Sequence, residues 1–282
     1  MSDPVVISHF QAAPLLRAHA AGAATATTSP DLALTTVEVT LDAAGVRYPT
    51  GEAITWDTLR RIAAAATKCF RIVDGEARDI QVFSTETNWL RGLMPTPLAP
   101  TMLVSGIAMH RIKGTDPHHD TLTKIAAIAP LTGRVLDTAT GLGYTAIEAA
   151  RAASEVVTVE LDPAALDVAR QNPWSRDLFT NPRIRQLTGD IAVLILTFDA
   201  ASFSHIIHDP PMFSLAGDLY SADFYRQLHR VLRPSGRLFH YIGDPQSTTG
   251  KRTTSGVIRR LGDAGFRRVV RHPEAFGVVA YR

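Results

Sequence analysis

Cysteine is almost missing from this sequence: Cys69 stands alone among 282 residues. An intrachain disulfide is therefore excluded, and so is a thiolate metal cluster. Long hydrophobic runs are missing too. Hydrophobic residues make up 45% of the chain, yet charge or proline breaks every apolar run before the ~20 residues a spanning helix needs. The opening residues, MSDPVVISHF, lack the basic stretch and apolar core of a secretory signal. No internal repeat is present. These absences predict a cytoplasmic globular protein with no membrane and no metal partner, and they leave the oligomeric state open. Charge of one sign is scarce overall, with 29 basic and 27 acidic residues. The exception is Lys251 to Arg282, with eight basic residues and two acidic ones. That end is either a solvated arginine-rich surface or a contact for an anionic partner.

What is present falls into three stretches. Residues 1–30 are rich in Ala and Thr and read as a flexible N-terminal arm. Residues 31–112 read as a small β-rich domain and connector. There, LTTVEVTLDAAGVRYP alternates apolar and polar residues around a turn, ITWDTLRRIAAAA has helical spacing, and FRIVDGEARDIQVFS predicts a hairpin closed at Asp74-Gly75. Residues 113–282 change rhythm. The helix DTLTKIAAIA precedes the strand RVLDTA, and the strands EVVTVEL, RIRQLTG, FSHIIHDPP and RLFHYIG then alternate with helices. Alternation of this kind predicts a parallel sheet covered on both faces. The final FRRVVRHPEAFGVVAYR is strand, turn, strand, so its two strands are expected to pair antiparallel.

Ligands of such sheets sit at the carboxyl ends of the strands. The stretch DTATGLG places Asp137 at a strand end, Gly141 in the turn and Gly143 at a helix start. Glu160 ends the next strand and Asp190 the one after. A dinucleotide fits poorly: the G-x-G-x-x-G pattern has Ala146 at its third glycine, and Asp137 would repel a pyrophosphate. A carboxylate there suits an ammonium or a sulfonium.

These motifs, VLDTATGLG, Glu160, GDI and DPP before an aromatic, make residues 134–282 resemble a class I S-adenosylmethionine-dependent methyltransferase. The same block resembles an uncharacterised, mainly archaeal methyltransferase group. The resemblance implies a doubly wound, seven-stranded, mostly parallel Rossmann-like sheet with an antiparallel last strand, beside the smaller β-rich N-terminal domain. It also implies S-adenosylmethionine as cofactor. Asp137, Thr138, Gly141 and Gly143 would line its amino-acid end, Glu160 would hold the ribose, Asp190 the adenine, and Leu161 and Ile191 would sandwich the ring.

HIIHDPPMF, His205 to Phe213, resembles the D/N-P-P-Y/F motif of amino-group methyltransferases, with Met212 displacing the aromatic by one place. Two prolines fix the turn and donate no hydrogen bond. Asp209 and the carbonyl of Pro210 can then accept an amine's hydrogens while Phe213 stacks on a planar acceptor. Asp209 is also a candidate general base, alone or relayed by His208. No cysteine lies near, which argues against cytosine-C5 chemistry. The acceptor is an amino or ring nitrogen of RNA, protein or a small molecule. Two alternatives stand beside this reading: an aminopropyl transferase of the spermidine-synthase type using decarboxylated S-adenosylmethionine, and a non-catalytic cofactor-binding scaffold. Of the remaining residues, Asp116 and Asp120 are expected to cap a helix, with Thr121 and Lys124 near the cofactor's amino-acid end. His240 and Tyr241 are substrate-side candidates.

Overall fold

Each helix that follows a strand in the second half of the chain carries it back to start the next strand in the same direction, which is what builds a parallel sheet. The computed structural model describes residues 4–211 and 217–282. Seven strands form the main sheet: β1 (Arg134–Asp137), β2 (Glu155–Glu160), β3 (Ile184–Thr188), β4 (Phe203–His208), β5 (Leu232–Tyr241), β6 (Arg268–His272) and β7 (Gly277–Tyr281). Their order is β3-β2-β1-β4-β5-β7-β6. Pairing is parallel from β3 through β5, whereas β7 runs antiparallel to both β5 and β6. The order reverses between β1 and β4, so the crevice beyond their carboxyl ends is where this fold holds ligands.

Helices of this half of the chain include α1 (Pro117–Ile128), α2 (Tyr144–Ala150), α3 (Pro163–Gln171), α4 (Ala222–Val231) and α5 (Thr248–Asp263). Helix α4 illustrates the local logic. The Ser221 hydroxyl accepts from the Phe224 amide and caps its start. Phe224, Tyr225, Leu228 and Val231 recur at helical spacing and are all buried. They join Leu136, Val157, Phe203, Ile206 and Leu238 in one apolar core.

By contacts the chain divides into one unit of Met1–His118 with Ala164–Arg176, and another of His119–Pro163 with Asp177–Arg282. Residues 164–176, expected within the 113–282 stretch, therefore group with the first unit. That unit holds three small antiparallel sheets. The expected hairpin turns at Asp74-Gly75, both with positive φ. The connector contains a further hairpin of Thr101–Val104 with Ile107–Ala108.

The N-terminal segment differs from expectation. Residues read as a flexible arm form a short strand, Val6–Ile7, and a helix, His9–Ala20. Val5, Ile7, Ala12 and Leu15 are part of the unit's core. The signal was local. Ser8 and Gln11 make a reciprocal capping box, which the Ala/Thr-rich composition masked. No helix among the described residues is long and apolar enough to cross a membrane.

Candidate active site

Asp137 ends β1 in register with Thr158 of β2 on one side and Ile207 of β4 on the other. This pairing places its carboxylate beside a hydroxyl. Oδ2 accepts from Thr158 at 2.8 Å and from Thr145 at 3.3 Å. Thr158 gives its hydrogen to Asp137, so Thr140, 2.7 Å away, donates to Thr158 in turn. Oδ1 is buried and has no hydrogen-bond partner among the described residues. Burial pushes the carboxyl up to about 7, and the negative charges of Asp209 and Glu160 push the same way, against the two hydroxyls. An unpartnered buried acceptor carries a free-energy cost that a cationic ligand removes.

The loop after β1 supplies the cradle. Gly143 has φ +79°, and a Cβ there would come within 2.7 Å of Leu178, so only glycine fits. Gly141 has φ +53°, with open space where a Cβ would project. Its amide donates to Glu160 Oε2 at 2.8 Å, while Glu160 Oε1 accepts from the Asp162 amide at 3.0 Å. Glu160 thus braces the loop from the end of β2. An open glycine cradle beside an orphaned buried carboxylate oxygen fits a ligand that carries an ammonium or sulfonium group, as S-adenosylmethionine does.

Other expected cofactor residues have local duties. Asp190 Oδ1 accepts from the Ala192 amide at 2.8 Å and caps the short helix Ile191–Leu194. Ile191 is packed into the apolar core rather than presented as one face of a slot. Leu161 is exposed. The Thr138 hydroxyl is 2.7 Å from His208 Nδ1, so its side chain is committed to that ring.

Asp209 follows β4 directly. Pro210 behind it is buried, and the Tyr220 hydroxyl donates to the Pro211 carbonyl at 3.2 Å, which holds the turn. Phe213 lies outside the described residues. No spacing signal in the sequence marks the partner of Asp209. Lys124 of α1, 85 residues earlier, puts its Nζ 2.6 Å from Asp209 Oδ2. The same Nζ is 2.8 Å from Asp120 Oδ2 and stands 4.4 Å above the centre of the Tyr241 ring. Asp120, expected as a cap, therefore lies one turn inside α1 as a buried ion-pair partner, and it is Asp116 that accepts from the His118 amide at 2.9 Å. The Lys124 side chain is only 3% exposed, and Asp209 remains 21% open. Although burial opposes it, the two carboxylates hold Lys124 protonated. Burial raises the Asp209 carboxyl, against the pull of Lys124.

His208 is not placed to relay a proton. Its Nε2 donates to the Leu219 carbonyl at 3.0 Å, which leaves Nδ1 to accept from Thr138. Both nitrogens are occupied, and burial lowers the ring's pKa to about 4. His240 is likewise enclosed: Nδ1 donates to the Tyr241 carbonyl and Nε2 accepts from Tyr225, each at 2.7 Å. The two rings lie 4.4 Å apart as a neutral, saturated pair. Of the substrate-side candidates only Tyr241 faces the charged cluster, through Lys124. Among the described residues no group of three or more His, Cys, Asp or Glu side chains is arranged to hold a metal ion.

Comparison with known proteins agrees with this geometry. Residues 135–236 match the methyltransferase domain family. The uncharacterized protein MJ1233 of Methanocaldococcus jannaschii is 44% identical over 238 residues, covering 84% of this chain and 81% of that protein. Polyamine aminopropyltransferase 2 of Streptomyces coelicolor is 32% identical over 143 residues, covering 47% of this chain but only 26% of that protein. The spermidine synthase of Thermotoga maritima superposes with a TM-score of 0.56 at 16% identity, covering 74% of this chain and 75% of that one. At that identity the likeness is one of fold.

Proposed function

The chain belongs to the family of MJ1233 and is built on a class I methyltransferase domain, and from that premise we propose that it methylates an amino or ring nitrogen, with Asp209 receiving the acceptor. The observation that carries this reading is the position of two carboxylates, buried Asp137 and part-open Asp209, at the carboxyl ends of the two strands where sheet order reverses. When bound, S-adenosylmethionine supplies an electrophilic methyl group on sulfur; the carbon–nitrogen bond forms as the carbon–sulfur bond breaks, and its electron pair returns to sulfur. Asp137 Oδ1 accepts from the donor's ammonium. Glu160 holds the glycine loop and offers its carboxylate to the ribose hydroxyls. Asp209 accepts an acceptor N–H, aims the nitrogen lone pair, and takes up the proton displaced from nitrogen. Alignment of this kind supplies much of a displacement's rate. RNA, protein and small molecules are all acceptors this chemistry admits.

One observation favours a second reading, aminopropyl transfer from decarboxylated S-adenosylmethionine. Lys124 is committed to Asp120 and Asp209, so it does not offer its charge to a cofactor carboxylate. The likeness to aminopropyltransferases adds to it. Calorimetry with S-adenosylmethionine and with its decarboxylated form separates the readings. So does incubation with labelled donor and fractionated cell extract, scored for S-adenosylhomocysteine against methylthioadenosine. We expect tighter binding of the carboxylated donor, and S-adenosylhomocysteine as co-product. Donor binding with no label transferred to any fraction returns the chain to the scaffold reading.

A further inference from the structure

Burying an ion pair seldom helps a fold; apolar side chains of equal volume serve as well or better. A lysine that is 3% exposed at the edge of the reacting crevice therefore asks for a reason. Its surroundings are specific. Asp120, one helical turn earlier on α1, holds Nζ from one side at 2.8 Å. The Tyr241 ring closes a second side at 4.4 Å. The remaining direction points to Asp209 Oδ2, at 2.6 Å. The ammonium has three donors and no lone pair, so Lys124 is neither a nucleophile nor a base here. What it does is occupy one oxygen of Asp209.

That has a consequence for the acceptor. Asp209 is faced by Lys124 and Asp120 from α1, by Asp137 from β1 and by Tyr220 ahead of α4, and the Tyr241 ring of β5 lies against the Lys124 ammonium. Without the lysine, two neighbouring carboxylates and burial would favour a protonated Asp209. A protonated carboxyl donates a hydrogen instead of accepting one, and its two oxygens are free to exchange roles.

We propose that Lys124 is a positioning residue: clamped by Asp120 and Tyr241, it fixes the Asp209 carboxylate so that Oδ1 alone receives the acceptor's N–H. This rests on the reading of Asp209 as the acceptor-orienting group. It explains why a cation sits beside a residue meant to attract an amine. The cation takes the oxygen facing away from the acceptor, and a second carboxylate, Asp120, balances its charge.

The test uses the full chain labelled with ¹³C at aspartate carboxyls, with Asp209 assigned by the signal lost in Asp209→Asn. In Lys124→Met we expect the Asp209 titration midpoint to rise by about 1 unit or more, the scale of losing an adjacent opposite charge. S-adenosylmethionine affinity should change by less than about threefold, because Asp137 and the glycine loop are untouched. The acid limb of label transfer into cell extract should move to higher pH in step with the Asp209 midpoint. If Lys124→Met fails to fold, Asp120→Asn/Lys124→Met removes one charge of each sign and still raises the midpoint, by less, because Asp120 no longer pushes the same way. An Asp209 midpoint that stays where the parent has it, with donor binding intact, overturns the proposal alone. A parent chain that binds neither donor form overturns the functional reading instead, and the Asp209 titration still decides the coupling.

Discussion

Two buried polar clusters lie at the carboxyl ends of the central strands, and they are built on opposite plans. In the first, Asp137, Asp209, Asp120 and Lys124 carry charge, and Asp137 Oδ1 is left without a donor. In the second, His208, His240, Thr138 and Tyr225 satisfy one another, and both rings stay neutral. Both are largely buried, with Asp209 the one member left 21% open. Only the first has bonding capacity left over, and in a folded interior unsatisfied capacity is expensive. It is retained where a ligand will use it. The histidine pair is thus saturated within the fold, while a lysine on a helix far away in sequence joins the cluster that has capacity left.

The contrast breaks most visibly at Asp209. Asp209→Asn should lower label transfer by ~10²–10⁴, the range for a group that handles the proton in the transition state, with donor affinity by calorimetry nearly unchanged. Transfer that survives would move function away from this cluster. Next is Asp137→Asn, where donor affinity should fall by roughly 10–100-fold, the worth of a hydrogen bond to a charged group. Loss in the reverse pattern, with rate down and binding intact, would assign Asp137 to the acceptor.

The clusters should also respond to pH with opposite signs. Asp137 has its carboxyl raised to about 7 from an ordinary 3.8. Between those values the folded chain keeps a proton that the unfolded chain gives up. The stability Asp137 contributes below pH 4 is therefore lost as pH rises through 7, at up to roughly 1.4 kcal/mol per unit. His208 has its ring lowered to about 4 from 6.5. In that window the unfolded chain holds the extra proton, so stability is present above pH 6.5 and lost as pH falls toward 4, by a similar slope. Relative to the parent, Asp137→Asn should show a denaturant-unfolding stability that climbs more steeply with pH between 4 and 6.5. A variant with the parent's slope would contradict the burial assigned to Asp137. The smallest effect is expected at Tyr225→Phe. Losing its hydroxyl leaves His240 Nε2 without a donor, about 1 kcal/mol by thermal unfolding, with donor affinity within about twofold. A large loss of donor binding would mean that the second cluster is not mere support.

Much of this could be read from the residues. A strand ending in Asp137, a loop needing Gly141 and Gly143, and Glu160 at the next strand end are short-range patterns, and the fold uses them together. The hairpin at Asp74-Gly75 was legible for the same reason. Other roles could not be read from a short window. Asp190 and Ile191 fit a cofactor pattern, and the structure adds a helix cap and core packing to what they do. His208 sits next to Asp209 in sequence, but successive residues at a strand end point to opposite faces, and its ring turns to Thr138 and Leu219. The helix His9–Ala20 was announced only by Ser8 and Gln11, beneath a composition that suggested disorder.

The sequence by itself determined the strand–helix rhythm, and with it the parallel sheet, its antiparallel final strand and the row of acids at its carboxyl edge. Those follow from periodicity and from glycine's backbone freedom, which act over a few residues. Tertiary structure alone decided which acids stay charged and which polar groups are already satisfied. That choice depends on burial and on neighbours such as Lys124 and Asp209, 85 residues apart, because electrostatic strength is set by what surrounds a charge in space and not along the chain.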